Sequence, residues 1–558
     1  MKKLYIPGIF LALVLICSSA LGVPTVWVDD DYNAGNAGGH TWGVDAFDNI
    51  NAGLVAADSG GTINVAAGNY IEILTIIKPV TILGPQANVD PRTGAGLRTP
   101  GSANEAVVDV GGATFAVLVN SSDVTINGME FMNTTDDCIY SEAGISGSTI
   151  SFCIIHDSQD ECAQFKNAMD CVFEFNLGFE VRQDGFSFAN SNDCIIRNCE
   201  VHTSNSDNGA IYTYSSYGIT IEGNHIHNCT ASNGIKVYEM FNTLVKKTHI
   251  RGNIIEDCDF QGKKYNQDGC GILLYRPQEY MGGTTEPAIL VEGNTIQNIT
   301  GNGRGQAAGT AGHGVFWLTS HITGVNPGIP MIVEGNHILN NGGWGIMVVQ
   351  SNTADLVDHF SARHNFIKGN AMGGINNTIA GKTVDAIMCY WGDPDGPKAG
   401  DTAGSVTTDP WSYFTPVYKL LESWGGMVDL NILDNPRYMK HKVTLTGMSD
   451  GSMVRLRTPA DRHGLNNSIE ILLDPGVTLT EDAQVIVEYK FPADRIEPYT
   501  WEQLRLARWD GSQWEIVPGS TNAWPQTLIS GKVSGFSIFG AYPDAGTVPV
   551  ELSVFSME

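Results

Sequence analysis

Acidic residues recur at one position of the chain, in the turns that precede short apolar segments. These turn acids are Asp136 and Asp137, Asp160 and Glu161, Asp184, Asp207 and, later, Asp268. If the segments are strands stacked in parallel, successive members lie about 5 Å apart and alternate members about 10 Å apart. Paired carboxylates are about 5–5.5 Å apart in retaining glycosidases and about 6.5–9.5 Å apart in inverting ones. Four members of this column are therefore predicted as catalytic acid/base groups: Asp137, Asp160, Glu161 and Asp184.

The same column supports two other interpretations. Several carboxylate oxygens in a row are hard ligands that suit calcium, so Ca²⁺ is the one cofactor that the sequence suggests. Asp and Asn also favour turns for local hydrogen-bonding reasons alone, which is a purely structural explanation. The sequence leaves the three interpretations open.

A second group of candidates lies on the outward face of the same strands. In a strand that opens Gly-Ile-Lys-Val, the residue after glycine points inward and the next points outward. This rule predicts one outward column of Tyr140, Gln164, Ser187, Ile211, Lys236, Leu273, Phe316 and Met347. It predicts a second column of Lys166, Thr213, Tyr238 and Tyr275, with Tyr214, Glu239 and Arg276 one position further. Aromatic rings mixed with charges along one face indicate a groove for a long sugar chain, although ordinary solvated positions give the same pattern.

These outward residues also permit β-elimination from a uronate. That reaction needs a base for the proton α to the carboxyl group and a cation that neutralises the carboxylate. Lys236 is the candidate base, Lys166 or Arg276 the neutralising cation and Tyr238 the proton donor. Among the histidines, which mostly sit near repeat turns, only His313 lies at a strand mouth beside the aromatic column. We include it with Phe316 among the candidate substrate-binding residues.

The elements that position these residues form a repeat. Small residues open successive strands at Cys138, Cys162, Gly185, Gly209, Gly234, Gly271, Gly314, Gly345 and Gly374, at intervals of 24, 23, 24 and 25 residues that later stretch to 37, 43, 31 and 29. Asparagines form a second series at Asn224, Asn253, Asn294, Asn336 and Asn365. A near-constant period of short alternating strands predicts an all-β solenoid, a right-handed parallel β-helix. Cysteines in equal register, such as Cys138 and Cys162, are predicted to be thiols that fill its core, although the expected Cα distance also permits a disulfide bridge between them.

Four segments follow from the pattern. Residues 1–22 are predicted to be an export signal, with Lys2 and Lys3 before a short apolar run. Residues 23–417 form the solenoid, which a helix from Asp45 caps. Residues 418–545 are predicted to form a small β-sandwich, because alternating strands and an Asp510-Gly511 hairpin turn occur there. Residues 546–558 form a tail.

The net charge of the protein limits the classes of molecule that it can bind. The net charge of −28 repels nucleic acid and anionic lipid, so both are poor partners. No stretch beyond the signal approaches the roughly 20 apolar residues of a membrane span. We expect a protein that is secreted or at the cell surface.

Ala67-Gly68-Asn69-Tyr70, followed by Lys78-Pro79-Val80-Thr81, resembles the entry coils of the pectate-lyase-like β-helix superfamily, and Tyr390-Trp391-Gly392 is similar to the closing segment of NosD-like repeat proteins. Asp136-Asp137-Cys138-Ile139 resembles the paired-aspartate motif of polygalacturonases. Gly312-His313-Gly314 matches that family's histidine motif but lies several coils downstream. The resemblance implies a β-helix that binds polysaccharide and cleaves it as a lyase or a glycoside hydrolase. The alternative is a non-catalytic surface, adhesion or carbohydrate-binding protein.

Overall fold

The computed structural model describes most of the solenoid and parts of the C-terminal region. The described residues are 23–238, 247–260, 269–275, 289–301, 312–318, 331–349, 360–393, 395–412, 415–420, 428–431, 442–445, 453–457, 469–474, 483–488, 504–523, 528–533 and 538–543. The predicted export signal, the tail and the candidates Glu239, Asp268 and Arg276 lie outside them. Within the described residues, no helix has the length and apolar character needed to cross a bilayer.

The chain winds through three parallel sheets, contributing one strand to each in turn. The first sheet contains Val23–Val28, Ala46–Phe47, Ala57–Val65, Val80–Leu83, Thr125–Asn127, Thr149–Ser151, Val172–Glu174, Ile195–Arg197, Thr220–Glu222, Thr248–Arg251, Ile289–Glu292, Met331–Glu334, Phe360–Ser361, Val384–Asp385 and Val406–Thr407. The second contains Gly68–Tyr70, Ala106–Ala113, Glu130–Thr134, Ile154–Ser158, Leu177–Phe179, Glu200–His202, His225–His227, Ile254–Glu256, Thr295–Gln297, His337–Leu339 and Phe366–Lys368. The third contains Leu74–Ile76, Val117–Val119, Ile139–Ser141, Ala163–Lys166, Phe186–Ala189, Ile211–Tyr214, Asn233–Tyr238, Cys270–Tyr275, His313–Leu318, Trp344–Val349, Gly373–Asn377 and Thr402–Ala403. The predicted parallel β-helix is confirmed.

The asparagine series forms a buried ladder. The backbone N–H of Asn253 donates to Oδ1 of Asn294 at 3.0 Å, and the N–H of Asn294 donates to Oδ1 of Asn336 at 2.9 Å. Nδ2 of Asn294 also donates to the carbonyl of Ile250, 2.9 Å away. Each amide thereby satisfies backbone groups at a turn that bends out of the sheet ladder, which explains why asparagine recurs once per coil.

The glycine series marks a place without room for a side chain. A Cβ added to Gly234 would lie 2.6 Å from the carbonyl oxygen of Gly271, and one added to Gly314 would lie 2.6 Å from that of Gly345. The coils approach each other through backbone atoms here, so a larger residue would push them apart.

The cysteines are reduced and buried, as predicted. All ten cysteines within the described residues are free: Cys138, Cys153, Cys162, Cys171, Cys194, Cys199, Cys229, Cys258, Cys270 and Cys389. They pack among the aliphatic side chains of the solenoid interior.

One short helix covers the N-terminal end of the solenoid. It spans Ile50–Ala56 rather than beginning at Asp45, since Ala46–Phe47 forms a strand and Asn49 caps the helix. The Asn49 side chain accepts from the N–H of Ala52 at 2.7 Å, and the carboxylate of Glu72 accepts from the N–H of Ile50. These acceptors satisfy N–H groups of the first turn and place the start of the helix there.

The C-terminal region is antiparallel. Its strands are Val417–Leu420, Val428–Asn431, Lys442–Leu445, Met453–Arg457, Ile469–Leu473, Ala483–Glu488, Leu504–Trp509, Trp514–Ile516, Thr521–Ala523, Leu528–Val533 and Ile538–Pro543. They form a six-stranded, a two-stranded and a three-stranded sheet. The six-stranded sheet contacts the solenoid through Arg455, whose guanidinium donates to Glu292 at 2.9 Å.

Candidate active site

The turn acids lie where the chain leaves the second sheet and enters the third. Cys138 N–H donates to the carbonyl of Glu161 at 3.0 Å, and Cys162 N–H donates to that of Asp184 at 3.1 Å. This register stacks Asp137, Glu161 and Asp184 in one column. Asp136 and Asp160 lie one residue earlier on their coils. We call these five residues the acidic cluster.

Three members of the cluster are close enough to share one ligand or one reacting group. Carboxylate oxygens of Asp136, Asp137 and Asp160 all lie within 4.8 Å of one another. Asp136 and Asp160 are half-buried, whereas Asp137 and Glu161 are 3% and 6% exposed. Asp136 and Asp160 are therefore the accessible pair of the cluster, and Asp137 and Glu161 are the buried pair.

Burial and neighbouring acidic groups raise the pKa of three carboxyl groups of the cluster, those of Asp137, Asp160 and Glu161. Burial raises the pKa of Asp160 to about 6, and the charges of Asp137 and Asp136 contribute to the rise. Burial, a hydrogen bond to Asp137 and the charge of Asp184 raise the pKa of Glu161 far above its ordinary range. Protonated Glu161 thus donates to Asp137, whose own pKa burial also raises.

Neighbouring polar groups hold the buried pair in place. The N–H of Glu161 donates to Oδ1 of Asp137 at 3.1 Å, and Nε2 of Gln164 donates to Oε1 of Glu161 at 2.8 Å. Oδ1 of Asp184 accepts from Oγ of Ser206 at 2.6 Å. Oδ1 of Asp160, by contrast, is buried without a hydrogen-bond partner among the described residues. A turn acid with a purely structural role would have satisfied this oxygen, so the cluster has a feature that turn formation does not explain.

An aromatic platform lies beside the cluster on the face of the third sheet. The rings of Phe115 and Tyr140 stack with centroids 4.9 Å apart. Nζ of Lys166 lies 4.9 Å from the centre of the Tyr140 ring and donates to its hydroxyl at 3.2 Å. The Lys166 charge also reaches Asp137 and lowers that carboxyl's pKa, partly offsetting the effect of burial.

The platform continues as a stack of tyrosines. Strand pairing aligns Lys166, Ala189, Tyr214, Tyr238 and Tyr275 in one column. Ring centroids are 5.1 Å apart between Tyr214 and Tyr238 and 4.9 Å apart between Tyr238 and Tyr275. Four strand spacings of about 4.8 Å give this column a length of roughly 19 Å.

Two residues of the predicted columns point inward. Ile211 is fully buried and pairs with Phe186, and Thr213 is also fully buried. Their outward places belong to Tyr212 and Tyr214. The error arises because Ala210, rather than Gly209, is in register with Gly185, and a shift of one residue reverses the face of every side chain in a strand.

Three outward candidates are almost fully buried. Lys236 is three strands from Gln164 in its column, about 14 Å away, and is only 1% exposed. Its Nζ lies 5.3 Å from the ring centre of Tyr212 and 5.7 Å from that of Tyr238. His313 and Phe316 are also buried, and Nδ1 of His313 accepts from the N–H of Trp344 at 2.9 Å. The roles of Lys236, His313 and Phe316 stay predictions.

Three site residues were not among the sequence candidates. Asp136 was noted only as a turn acid, and its half-buried carboxyl proves to face the same point as Asp160. Tyr212 was hidden by the register error. Phe115 lies one coil before the first paired acids, and its stacking on Tyr140 appears only in the folded chain.

Comparison with known proteins agrees with the architecture. The family described as "Right handed beta helix region" matches residues 106–275 and 146–385, which together cover half of the chain. The chain belongs to the right-handed β-helix family. No curated protein matches the sequence.

Solved structures of similar fold include XylC in complex with xylose, at 10% identity and a TM-score of 0.41, covering 73% of this chain and 89% of that one. A second is the catalytic unit of a thermostable GH87 α-1,3-glucanase from Streptomyces thermodiastaticus, at 14% identity and a TM-score of 0.41, covering 70% and 71%. A third is the A-module of the Azotobacter vinelandii mannuronan C-5 epimerase AlgE4, at 13% identity and a TM-score of 0.36, covering 68% and 99%. At such identities the similarity concerns the fold alone.

Proposed function

We propose that this β-helix protein hydrolyses a polysaccharide at the acidic cluster. The observation that carries the proposal is the convergence of Asp136, Asp137 and Asp160 within 4.8 Å, next to an aromatic and basic platform. Glycoside hydrolysis needs one carboxylic acid that protonates the leaving oxygen and one carboxylate that acts on the anomeric carbon or on water.

Asp160 is the group we assign as general acid. Its half-buried carboxyl has a pKa of about 6, so it keeps its proton in mildly acidic solution and can pass it to the glycosidic oxygen. The second carboxylate comes from the Asp136–Asp137 pair. Protonated Glu161 reduces the charge beneath them and donates to Asp137. The short separation is closer to that of retaining than of inverting glycosidases.

The tyrosine column supports binding of an extended sugar chain. Aromatic faces provide apolar area for the C–H faces of sugar rings, and Tyr214, Tyr238 and Tyr275 present such faces in sequence. Lys166 lies between this column and the acidic cluster and would pair with a carboxylate on an acidic sugar. The overall negative charge makes this local cation important for such a substrate.

A panel of neutral and acidic polysaccharides, incubated with the protein with and without calcium, tests the proposal. We expect new reducing ends without new ultraviolet absorbance, and a loss of at least 100-fold in rate for Asp160→Asn. Asp123→Asn, an exposed turn aspartate on the first sheet, is the matched control and should retain the activity. Wild-type rates in Asp160→Asn would contradict the assignment.

The same assay separates the other interpretations. Ultraviolet absorbance from unsaturated uronates would show that the reaction is elimination rather than hydrolysis. Lys236 and Tyr238 would then be the first residues to substitute. Binding without any product would favour an adhesion or carbohydrate-binding protein. Activity that requires calcium would make Asp136, Asp137 and Asp160 the first residues to test as ligands.

The pH profile gives a further prediction. Because Asp160 acts in its protonated form, the rate should fall as pH rises through about 6, roughly tenfold for each further unit. Measurement of kcat/KM between pH 4 and 8 checks this expectation. A rate that rises from pH 6 to 8 would instead indicate a group that acts as a base.

We also propose that the protein is exported. Lys2 and Lys3 before an apolar run, with Ala20-Leu21-Gly22 after it, support a cleavable signal. N-terminal sequencing of the protein released by its native host would locate the cleavage.

A further inference from the structure

A cluster of histidine and carboxylate side chains lies on the outer face of the second sheet, away from the acidic cluster. His225 and His227 occupy alternate positions of the strand His225–His227, so both point outward while Ile226 points into the core. Glu200 stands on the adjacent strand, directly opposite His225.

The three side chains converge on one point. Donor atoms of Glu200, His225 and His227 all lie within 4.8 Å of one another. Oε1 of Glu200 is 2.9 Å from Nε2 of His227, and the two imidazole rings stack at 4.3 Å. Ligands about 2.0–2.2 Å from a tetrahedral zinc ion lie about 3.4 Å from each other. Side-chain rotations that widen the 2.9 Å contact and bring the more distant donor atom inward would complete such a geometry.

We propose that Glu200, His225 and His227 bind a divalent transition-metal ion of the zinc class. Two imidazoles and one carboxylate are nitrogen and oxygen donors that zinc, cobalt, nickel and iron prefer, whereas calcium and magnesium take oxygen ligands. Binding forms three coordination bonds, and where Nε2 of a neutral His227 coordinates the ion, the ring carries its proton on Nδ1 instead. The remaining coordination positions are filled by water.

Outer contacts hold the proposed ligands in place. The backbone N–H of Thr93 donates to Oε2 of Glu200 at 2.8 Å, and its hydroxyl donates to Oε1. Oε1 of Glu256 is 3.0 Å from Nε2 of His225, and Nε2 of Gln297 donates to Oε2 of Glu256 at 2.7 Å. Carboxylate and amide partners of this kind commonly orient metal-binding groups.

The electrostatics of the site suit a cation. Glu200 is almost fully buried and accepts two hydrogen bonds from Thr93, so a carboxylate with a fixed position faces the two imidazoles. His225 and His227 are partly exposed, so an ion can enter from solvent. The buried thiols of the core are inaccessible competitors.

A structural role is the competing explanation, because Glu200 also anchors the loop that carries Thr93. That role needs one carboxylate and no histidine, yet two imidazoles and Glu256 meet at the same place. Metal binding by the whole chain decides between them.

The experiment uses untagged protein dialysed against EDTA and then titrated with Zn²⁺ by calorimetry and with Co²⁺ by visible absorption. We expect one ion per chain with micromolar or tighter affinity, weakened at least 10-fold in His225→Ala and in His227→Ala. His40→Ala, in the N-terminal segment, is the control and should bind as the wild type does.

Absence of Zn²⁺ and Co²⁺ binding by the wild type would overturn the proposal. If His225→Ala and His227→Ala both bound Zn²⁺ and Co²⁺ with the affinity of the wild type, the proposal would also be overturned. The acidic cluster would then be the next site to test. Circular dichroism of each variant checks folding, and His225→Ala is the safer variant because the side chain is 36% exposed.

Discussion

At the scale of single residues, the acidic cluster is a place where like charges are held together against their repulsion. Asp137 and Glu161 are almost fully buried, and they avoid the cost of two buried charges by sharing a proton. Asp160, at the edge of the pair, keeps a raised pKa because of its burial and, to a lesser extent, because the charges beside it disfavour ionisation. Such an arrangement reduces stability and is characteristic of sites that use the proton.

This cost predicts a pH-dependent gain in stability for Glu161→Gln. The folded-state pKa of Glu161 lies above its unfolded value, so the native carboxyl is stabilised by its proton below the unfolded pKa. That stability is lost as pH rises. Gln keeps a donor toward Asp137 without this penalty. We expect the melting temperature of the variant to exceed that of the wild type at pH 8 by about 1–3 °C, and the difference to shrink at pH 5. Glu180→Gln, an exposed control, should show no trend. Parallel melting curves for all three proteins would contradict the expectation.

The residue scale also shows where sequence reasoning stops. Asp136 and Asp137 are adjacent in the chain, yet only the fold makes one accessible and the other buried. The register of a strand depends on which of two small neighbours, Gly209 or Ala210, faces the coil before it. Size alone cannot choose between them, and the choice decides whether Ile211 or Tyr212 points outward from the sheet.

At the scale of elements, the side-chain ladders hold the coils in register. The asparagine ladder satisfies backbone groups at turns, where strand pairing ends, and the glycine column lets the backbones of neighbouring coils approach closely. Because both series are encoded as repeats of a residue type, the fold and most strand positions could be predicted. The prediction placed the helix start too early, at Asp45, although its cap Asn49 is a local signal; the second acceptor, Glu72, lies 22 residues away in sequence.

Removal of one ladder amide should destabilise the solenoid measurably. Asn294→Ala removes the donor to Ile250 and the acceptor for Asn253, and it leaves buried backbone groups unsatisfied. We expect a loss of about 2–4 kcal/mol in the free energy of unfolding, measured by denaturant titration. Asn120→Ala, on an exposed turn, should change it by less than about 0.5 kcal/mol. Equal effects for the two variants would show that the ladder contributes little.

At the scale of the whole molecule, ion pairs join the C-terminal sheet to the solenoid. Arg455 donates to Glu292 at 2.9 Å and lies 2.8 Å from Asp474. Arg251 of the solenoid donates to the same Asp474 at 3.0 Å. Arg455 is largely buried, so its removal leaves acids without a counter-charge.

Arg455→Ala should therefore loosen the C-terminal region from the solenoid. Loss of one partner of a buried ion pair costs about 3–5 kcal/mol. This is enough for the C-terminal region to unfold before the solenoid does. We expect limited proteolysis to cleave the variant near residue 415 and to leave a resistant solenoid, while the wild type is cut slowly. Arg508→Ala is the control, because its pair with Glu515 is exposed and 3.6 Å long. Wild-type cleavage in Arg455→Ala would contradict the role of this contact.

The sequence by itself determined the coil: its period, its strands, its core cysteines and the turn that carries the acids. Each of these is a local or repeating property. It is set by the alternation of apolar and polar residues, by turn residues and by the stacking of the same residue type on successive coils. Only the tertiary structure decided which acids share a proton, which outward residues stay accessible and that Glu200 meets two histidines. Those outcomes depend on burial and on distances between coils, to which residues far apart in the chain contribute together.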